Sequence, residues 1–234
     1  MLTHIIIATR NRHKVGEIRA LLGEPFRLLS LDDFPGAPPV IEDAATFAGN
    51  ATKKAVELAN WLGASWSSHA SRITHHSFVL ADDSGLEVDA LDGAPGVHSA
   101  RFAAQDTGQT DNSTDEANRA KLLRLLEGVP AEKRTSRFRC VIALTPILAA
   151  EPGNASPVCY ADETELQTRL FEGACEGRIT SVAQGSGGFG YDPLFIPNGY
   201  RQTFGELPEE VKNRISHRAQ ALARMKDAIK NRVA

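Results

Sequence analysis

Two adjacent aspartates at the end of an apolar run constrain this chain more than any other feature. Phe78-Val79-Leu80-Ala81 has the composition of a buried strand, and it leads directly into Asp82-Asp83-Ser84-Gly85. Neighbouring carboxylates where a buried strand meets a loop raise each other's pKa, so the fold must bring positive charge beside them. A divalent cation is one remedy, and hard oxygen ligands suit Mg²⁺. The same four residues also read as a capped turn, because Asp and Ser satisfy backbone N–H groups at helix starts. Further on, Gly93-Ala94-Pro95-Gly96 permits a tight turn before Ser99-Ala100-Arg101.

The 234 residues suffice for one large domain or two small ones. A hydrophobic fraction of 42% and a charged fraction of 24% place the chain among ordinary soluble globular proteins. The net charge of −3 argues against coating a nucleic-acid polymer, which calls for a clustered basic face. A small phosphorylated ligand needs only a few well-placed cations. Cys140, Cys159 and Cys175 are odd in number and lack CxxC spacing, so reduced thiols in a cytoplasmic setting are expected. The N-terminus passes from a short apolar run into basic residues, the reverse of a secretory signal. No apolar stretch approaches a membrane span.

Ile5-Ile6-Ile7-Ala8 is uniformly apolar and reads as a strand buried on both faces of an α/β sheet. Thr9, Arg10, Asn11, Arg12, His13 and Lys14 follow at once, and then a helical pattern of Val15, Ile18, Leu21 and Leu22. A strand, a basic turn and a helix start make a ready anion site, although the GxxxxGK[ST] loop is absent. A plain exposed turn reads equally well there. After a proline-rich loop with a short strand at Arg27 to Ser30 comes Glu42. A long amphipathic helix is expected from Thr46, with Phe47, Ala51, Ala55, Leu58 and Leu62 on one face and Lys54 beside it. Glu42 there can simply complement a helix dipole, and Lys54 can simply snorkel to water. Residues 63–77 (GASWSSHASRITHHS) read as a mobile insertion with His69, His75 and His76 solvated.

Downstream, residues 115–126 read as a helix with Ala117, Leu122, Leu123 and Leu126 inward. Residues 138–148, 157–162 and 165–172 read as strands, with a hairpin turn at Pro152-Gly153-Asn154. Gly185 to Gly190 is the most glycine-rich run, so backbone there can approach a ligand closely. Phe189 and Tyr191 can stack on a planar ring, with Asp192 alongside. A helix opens at Pro208-Glu209-Glu210. On one continuous helix Lys212, His217 and Arg218 would point in three directions, so a break is expected at residues 214–216 with Ser216 as a fresh N-cap. Ala219, Leu222, Met225 and Ile229 would form the buried stripe of the second helix.

Five segments in order, ATRNRHKVGEI, IEDAATFAGNATKKA, LADDSGLEVDALDGAPGVHSARF, GFGYDPLF and VKNRISHRAQAL, resemble the inosine triphosphatase (HAM1-like, RdgB-type) family almost end to end. The resemblance implies a single domain over residues 1–234 with the inosine triphosphatase-like (Maf/HAM1) α/β fold. That fold is an elongated mixed central β-sheet flanked by helices, with two lobes and a cleft between them. It also implies a homodimer that uses Mg²⁺ to hydrolyse ITP, dITP and XTP to the monophosphate and pyrophosphate. By the same resemblance Asp83 is the catalytic carboxylate, and Glu42 and Asp83 hold the metal, with Asp82 as a helper. Thr9 to Lys14, Lys54 and Ser84 would bind the phosphates. Phe189, Gly190, Tyr191 and Asp192 would form the base-stacking and ribose-side loop, and Lys212, His217 and Arg218 would read the purine 6-keto group. Arg10 stands where the family usually has glycine, and Gly49 where it usually has glutamate. A Maf-type pyrophosphatase for modified pyrimidine nucleotides and a non-catalytic nucleotide sensor are the rival readings. The first would lack the SHR and FGYD motifs, and the second has no need of the intact acids.

Overall fold

The computed structural model describes residues 3–74, 76–108, 111–149 and 163–233. In chain order the elements are β1 (Thr3–Ile7), α1 (Arg12–Leu22), β2 (Phe26–Ser30), α2 (Phe47–Ala64), α3 (Trp66–His69), β3 (Ser77–Val88), α4 (Asp115–Leu125), β4 (Thr135–Pro146), α5 (Glu163–Leu166), β5 (Arg169–Ile179), β6 (Phe195–Pro197), α6 (Glu209–Ile215) and α7 (His217–Val233). The strands form one six-stranded sheet in the order β2-β1-β3-β4-β5-β6. It is mixed: β1 runs parallel to β2 and to β3, whereas β5 and β6 are antiparallel. The expected α/β architecture is therefore present. The chain divides into two compact units, one of residues 1–83, 141–171 and 225–234, the other of residues 84–140 and 172–224.

In the first unit, Ile5, Ile6 and Ile7 of β1 are fully buried, as in a parallel strand covered on both faces, and His4 is buried beside them with its ring nitrogen 3.1 Å from the Arg72 carbonyl oxygen. Helix α1 starts where Asn11 caps it, its side-chain oxygen accepting from the N–H groups of His13 and Lys14. Thr46 caps α2 in the same way through Gly49 N–H. The expected stripe of Phe47, Ala51, Ala55, Leu58 and Leu62 is buried, and Asn50 and Lys54 are buried along its edge. Residues 63–77 depart only in part from the solvated insertion expected, since His76 is exposed. Helix α2 continues through Gly63 to Ala64, α3 follows, and Ile73 is buried. The His69 ring lies 5.4 Å from Phe34 and 5.1 Å from Trp61, because an aromatic ring gains more from apolar neighbours than from water. His75 lies outside the described residues.

In the second unit the core gathers Leu86, Val88, Phe102, Leu122, Phe138, Leu194, Phe195 and Phe204. Helix α4 corrects one expectation. Ala117 is exposed, and the buried position belongs to Asn118, which accepts from Ala103 N–H and donates to the Ala100 carbonyl. A polar residue can face inward when its hydrogen bonds are met there. The strand expected at residues 165–172 is replaced by α5 and by β5 from Arg169 to Ile179. Gly173 and Gly177 disguise the second half of β5. A side chain at Gly173 would strike the His217 carbonyl, and one at Gly177 the Ile196 carbonyl, so glycine marks close approach here. The expected turn at 152–154 and strand at 157–162 lie outside the described residues.

Candidate active site

Strand β3 does not end at the aspartates. It continues through Asp82 and Asp83 to Val88, and side chains that alternate across a strand place the two carboxylates on opposite faces. Each meets its own lysine. Asp82 accepts from Lys14 Nζ at 2.6 Å, and its side chain is fully buried. Asp83 Oδ1 lies 3.2 Å from Lys54 Nζ, which also donates to Glu42 Oε2 at 2.9 Å and to the Asp82 carbonyl at 2.9 Å. Glu42 and Asp83 therefore converge on one ammonium although they are 41 residues apart in sequence (83 − 42).

Asn50 completes this cluster. It is fully buried, donates from Nδ2 to Asp83 Oδ2 at 3.2 Å, and accepts from Ala44 N–H at 2.9 Å. One side chain thus fixes the Asp83 carboxylate and the segment that carries Glu42. Nothing in the sequence reading marked Asn50, although it lies four residues before Lys54 and hence on the same side of α2. Burial pushes the Asp83 carboxyl above its ordinary value; Lys54 and Lys14 pull it down, and Glu42 pushes it further up. Glu42 stays below its ordinary value because Lys54 outweighs burial. For Lys54, burial lowers the value, but Asp83, Glu42 and Asp82 more than reverse that and hold the ammonium charged.

The turn after β1 is already partly engaged. Thr9 Oγ1 accepts from Asn11 N–H at 3.2 Å, and Asn11 Oδ1 takes the first helical N–H groups at 2.9 and 3.1 Å. Arg10 donates to the Ala37 carbonyl at 2.9 Å and so ties the turn to the next loop. Arg10, Arg12 and His13 are exposed.

The remaining predicted residues fall in the second unit. The break before α7 is where the capping residue put it: Ser216 ends α6, and its Oγ accepts from Ala219 N–H at 3.2 Å. Lys212 is buried against Asp192 at 2.6 Å, and Asp192 Oδ2 also accepts from Phe189 N–H at 2.8 Å. The Lys212 ammonium lies 5.0 Å from the Phe189 ring centroid, and the Arg218 guanidinium 5.8 Å from it. Arg218 is 1% exposed and donates to Ser84 Oγ at 2.9 Å, so Ser84 belongs to this set. His217 stacks on Phe138 with centroids 4.9 Å apart and planes 13° apart. Tyr191 departs from expectation. It sits in the apolar core with its hydroxyl donating to the Ser99 carbonyl at 2.9 Å, and burial keeps that phenol protonated well above its ordinary value. A ring held there supports the loop and offers no stacking face, which leaves Phe189.

Among the described residues no three His, Cys, Asp or Glu side chains form a metal cage. Two carboxylates, Glu42 and Asp83, do share one point, and Mg²⁺ is characteristically held by one or two carboxylates with substrate phosphates and water completing its shell. The donor set fits that ion.

Comparison with known proteins identifies the family. The model of the Ham1 family matches residues 5–228. A dITP/XTP pyrophosphatase of Geobacter sulfurreducens is 47% identical over 97% of this chain and 96% of its own length, and one of Desulforamulus reducens is 47% identical over 93% and 91%. The structure of a HAM1 protein from Coxiella burnetii superposes with a TM-score of 0.74 at 32% identity, covering 99% of this chain and 100% of that one. The Staphylococcus aureus Ham1 protein gives 0.73 at 30% identity, covering 98% and 100%. With a family model spanning nearly all of its length and relatives close to half identical, this chain belongs to the Ham1 family.

Proposed function

We propose that this protein hydrolyses non-standard purine nucleoside triphosphates (ITP, dITP and XTP) to the monophosphate and pyrophosphate. The observation that carries the reading is the convergence of Glu42, Asp83 and Lys54, with Asn50 fixing the nucleophile-side carboxylate. Relatives named dITP/XTP pyrophosphatase at 43–47% identity over nearly the whole chain support the substrate class.

Phosphate handling falls to the first unit. Asp83 orients a water and takes its proton as it attacks the α-phosphorus, helped by a carboxyl whose proton affinity burial has raised. Glu42 and Asp83 would hold Mg²⁺, which would offset the charge of the phosphates and of the departing pyrophosphate. Lys14 and Lys54, paired with carboxylates here, exchange partners for phosphate oxygens, with Thr9 to His13 forming the turn beside them.

Base recognition falls to the second unit. Phe189 stacks on the purine, Asp192 holds Lys212 in place, and Lys212, His217 and Arg218 present donors to the 6-keto oxygen, with Ser84 steadying Arg218. Adenine would set an amino group against those donors and leave one unpaired, a strong basis for rejection. The buried thiols of Cys140 and Cys175 suit a reducing cytoplasm, and no described helix is long and apolar enough to cross a membrane. The working form is a homodimer, which light scattering of the purified chain tests.

The deciding experiment incubates the protein with ITP, XTP, GTP, ATP and dTTP in Mg²⁺ and separates pyrophosphate from orthophosphate. Pyrophosphate from ITP and XTP is expected, with little turnover of ATP and dTTP. Orthophosphate as the only phosphate product would overturn the reading.

A further inference from the structure

Helix α4 reaches the loop that carries Phe189 and Asp192 through both polar groups of one peptide residue. Asp115 Oδ2 accepts from Gly190 N–H at 2.6 Å, and Arg119 Nη1 donates to the Gly190 carbonyl at 2.7 Å. The two are four residues apart, so they rise from the same side of the helix. Arg119 is itself steadied by Glu116 at 3.0 Å, and α4 is anchored behind by the buried Asn118 and Leu122.

Packing does not hold Gly190. Its φ is +60°, a conformation that favours glycine, and a Cβ added there would meet nothing within 4 Å. The position two residues toward the N-terminus is tightly filled, since a side chain at Gly188 would run into the Asp192 carboxylate. Gly190 is therefore a left-handed residue in open space, fixed by two charge-assisted hydrogen bonds, the strong kind. We infer that Asp115 and Arg119 are positioning residues that clamp Gly190 and so set the place of Phe189 and Asp192 for purine recognition. Neither touches the nucleotide in this scheme. The inference rests on the base-recognition role given to that loop above.

The test compares Asp115→Ala, Asp115→Asn and Arg119→Ala with wild type, with Arg124→Ala as a control on the same helix whose partner is the exposed Asp106. Asparagine removes the charge near the helix N-terminus but keeps an oxygen that accepts from Gly190 N–H, so it separates the clamp from a general loss of helix stability. Asp115→Ala and Arg119→Ala are expected to raise KM for ITP and Ki for IMP about tenfold, the order of one charge-assisted hydrogen bond. Ki for inorganic pyrophosphate and kcat are expected to stay within about twofold; Arg124→Ala resembles wild type, and Asp115→Asn, which keeps a weaker neutral hydrogen bond, falls between wild type and Asp115→Ala. Equal effects of Asp115→Ala and Asp115→Asn, or a parallel rise in the pyrophosphate Ki, would overturn the clamp. Hydrogen exchange of the loop peptide gives a nucleotide-free readout. Faster exchange at Gly190 in Asp115→Ala than in Asp115→Asn supports the clamp, and unchanged exchange in both alanine variants refutes it. Failure of wild type to hydrolyse ITP would remove the proposed function alone, leaving exchange to judge the clamp.

Discussion

Asp83 sits where burial raises a carboxyl and two lysines pull it back, so its charge is usable only while its neighbours stay in place. Asp83→Asn keeps the shape and loses the proposed base. Turnover is expected to fall about 10²–10⁴-fold with little change in nucleotide affinity, measured by steady-state kinetics alongside calorimetric binding. Gly49 is another decisive residue. A glycine in the first turn of a helix normally yields about 1 kcal/mol when replaced, but here a Cβ would press on Ala44 Cβ at 2.8 Å and Thr46 Oγ1 at 3.2 Å. Ala44 Cβ cannot swing aside without moving its backbone, and Thr46 Oγ1 is held in place by Gly49 N–H, so Gly49→Glu is expected to lower the melting temperature. Cys175 supplies the pH test. Its buried thiol is pushed up to about 12 from an ordinary 9.0. The folded state therefore holds a proton that the unfolded state releases above pH 9, and stability falls as pH rises through that window. The difference in melting temperature between wild type and Cys175→Ala should narrow from pH 8 to pH 10.5; a constant gap would contradict the assignment.

At the scale of elements, the useful event is that β3 passes through its acidic pair without stopping. Alternation then sends one carboxylate to Lys14 on α1 and the other to Lys54 on α2. The α6–α7 break works similarly, since Ser216 ends one helix, caps the next and leaves His217 and Arg218 on a new first turn. Ser216→Ala should cost about 1 kcal/mol by thermal denaturation and raise KM more than it lowers kcat. Strand β5 meets α7 at Gly173, where an added Cβ would strike the His217 carbonyl and lie 2.7 Å from Ala221 N. Gly173→Ala is therefore expected to shift His217 and Arg218 and to weaken IMP binding, the opposite of what strand propensity alone forecasts.

Across the whole molecule, each compact unit carries a distinct part of the chemistry. The first gathers acids and lysines beside the apolar runs Ile5–Ile7 of β1 and Val79–Ala81 of β3. The second builds around aromatic residues, with Phe204 at 5.3 Å from Phe195 and 6.2 Å from Phe138. Phe204→Ala should destabilise the protein by about 3–5 kcal/mol, checked by denaturant titration. Because Phe138 also backs His217, nucleotide affinity should fall with it.

The residues alone determined much. Apolar runs announced β1 and the first half of β3, the 47-51-55-58-62 spacing announced α2, and the serine at 216 announced the helix break, because strand and helix periodicity and capping are local properties. Local signals misplaced what depends on distant partners. The aspartates looked like a strand end because the lysines that neutralise them are 68 and 29 residues away. Tyr191 looked available until the core took its ring, and the strand expected to stop at residue 172 runs on through glycines that α7 and β6 come against. Asn50, Asp115 and Arg119 carried no signal, since each acts through a hydrogen bond to a residue far along the chain. Which charges meet and which backbones touch is decided by tertiary packing, where an unpartnered buried charge is too costly to tolerate.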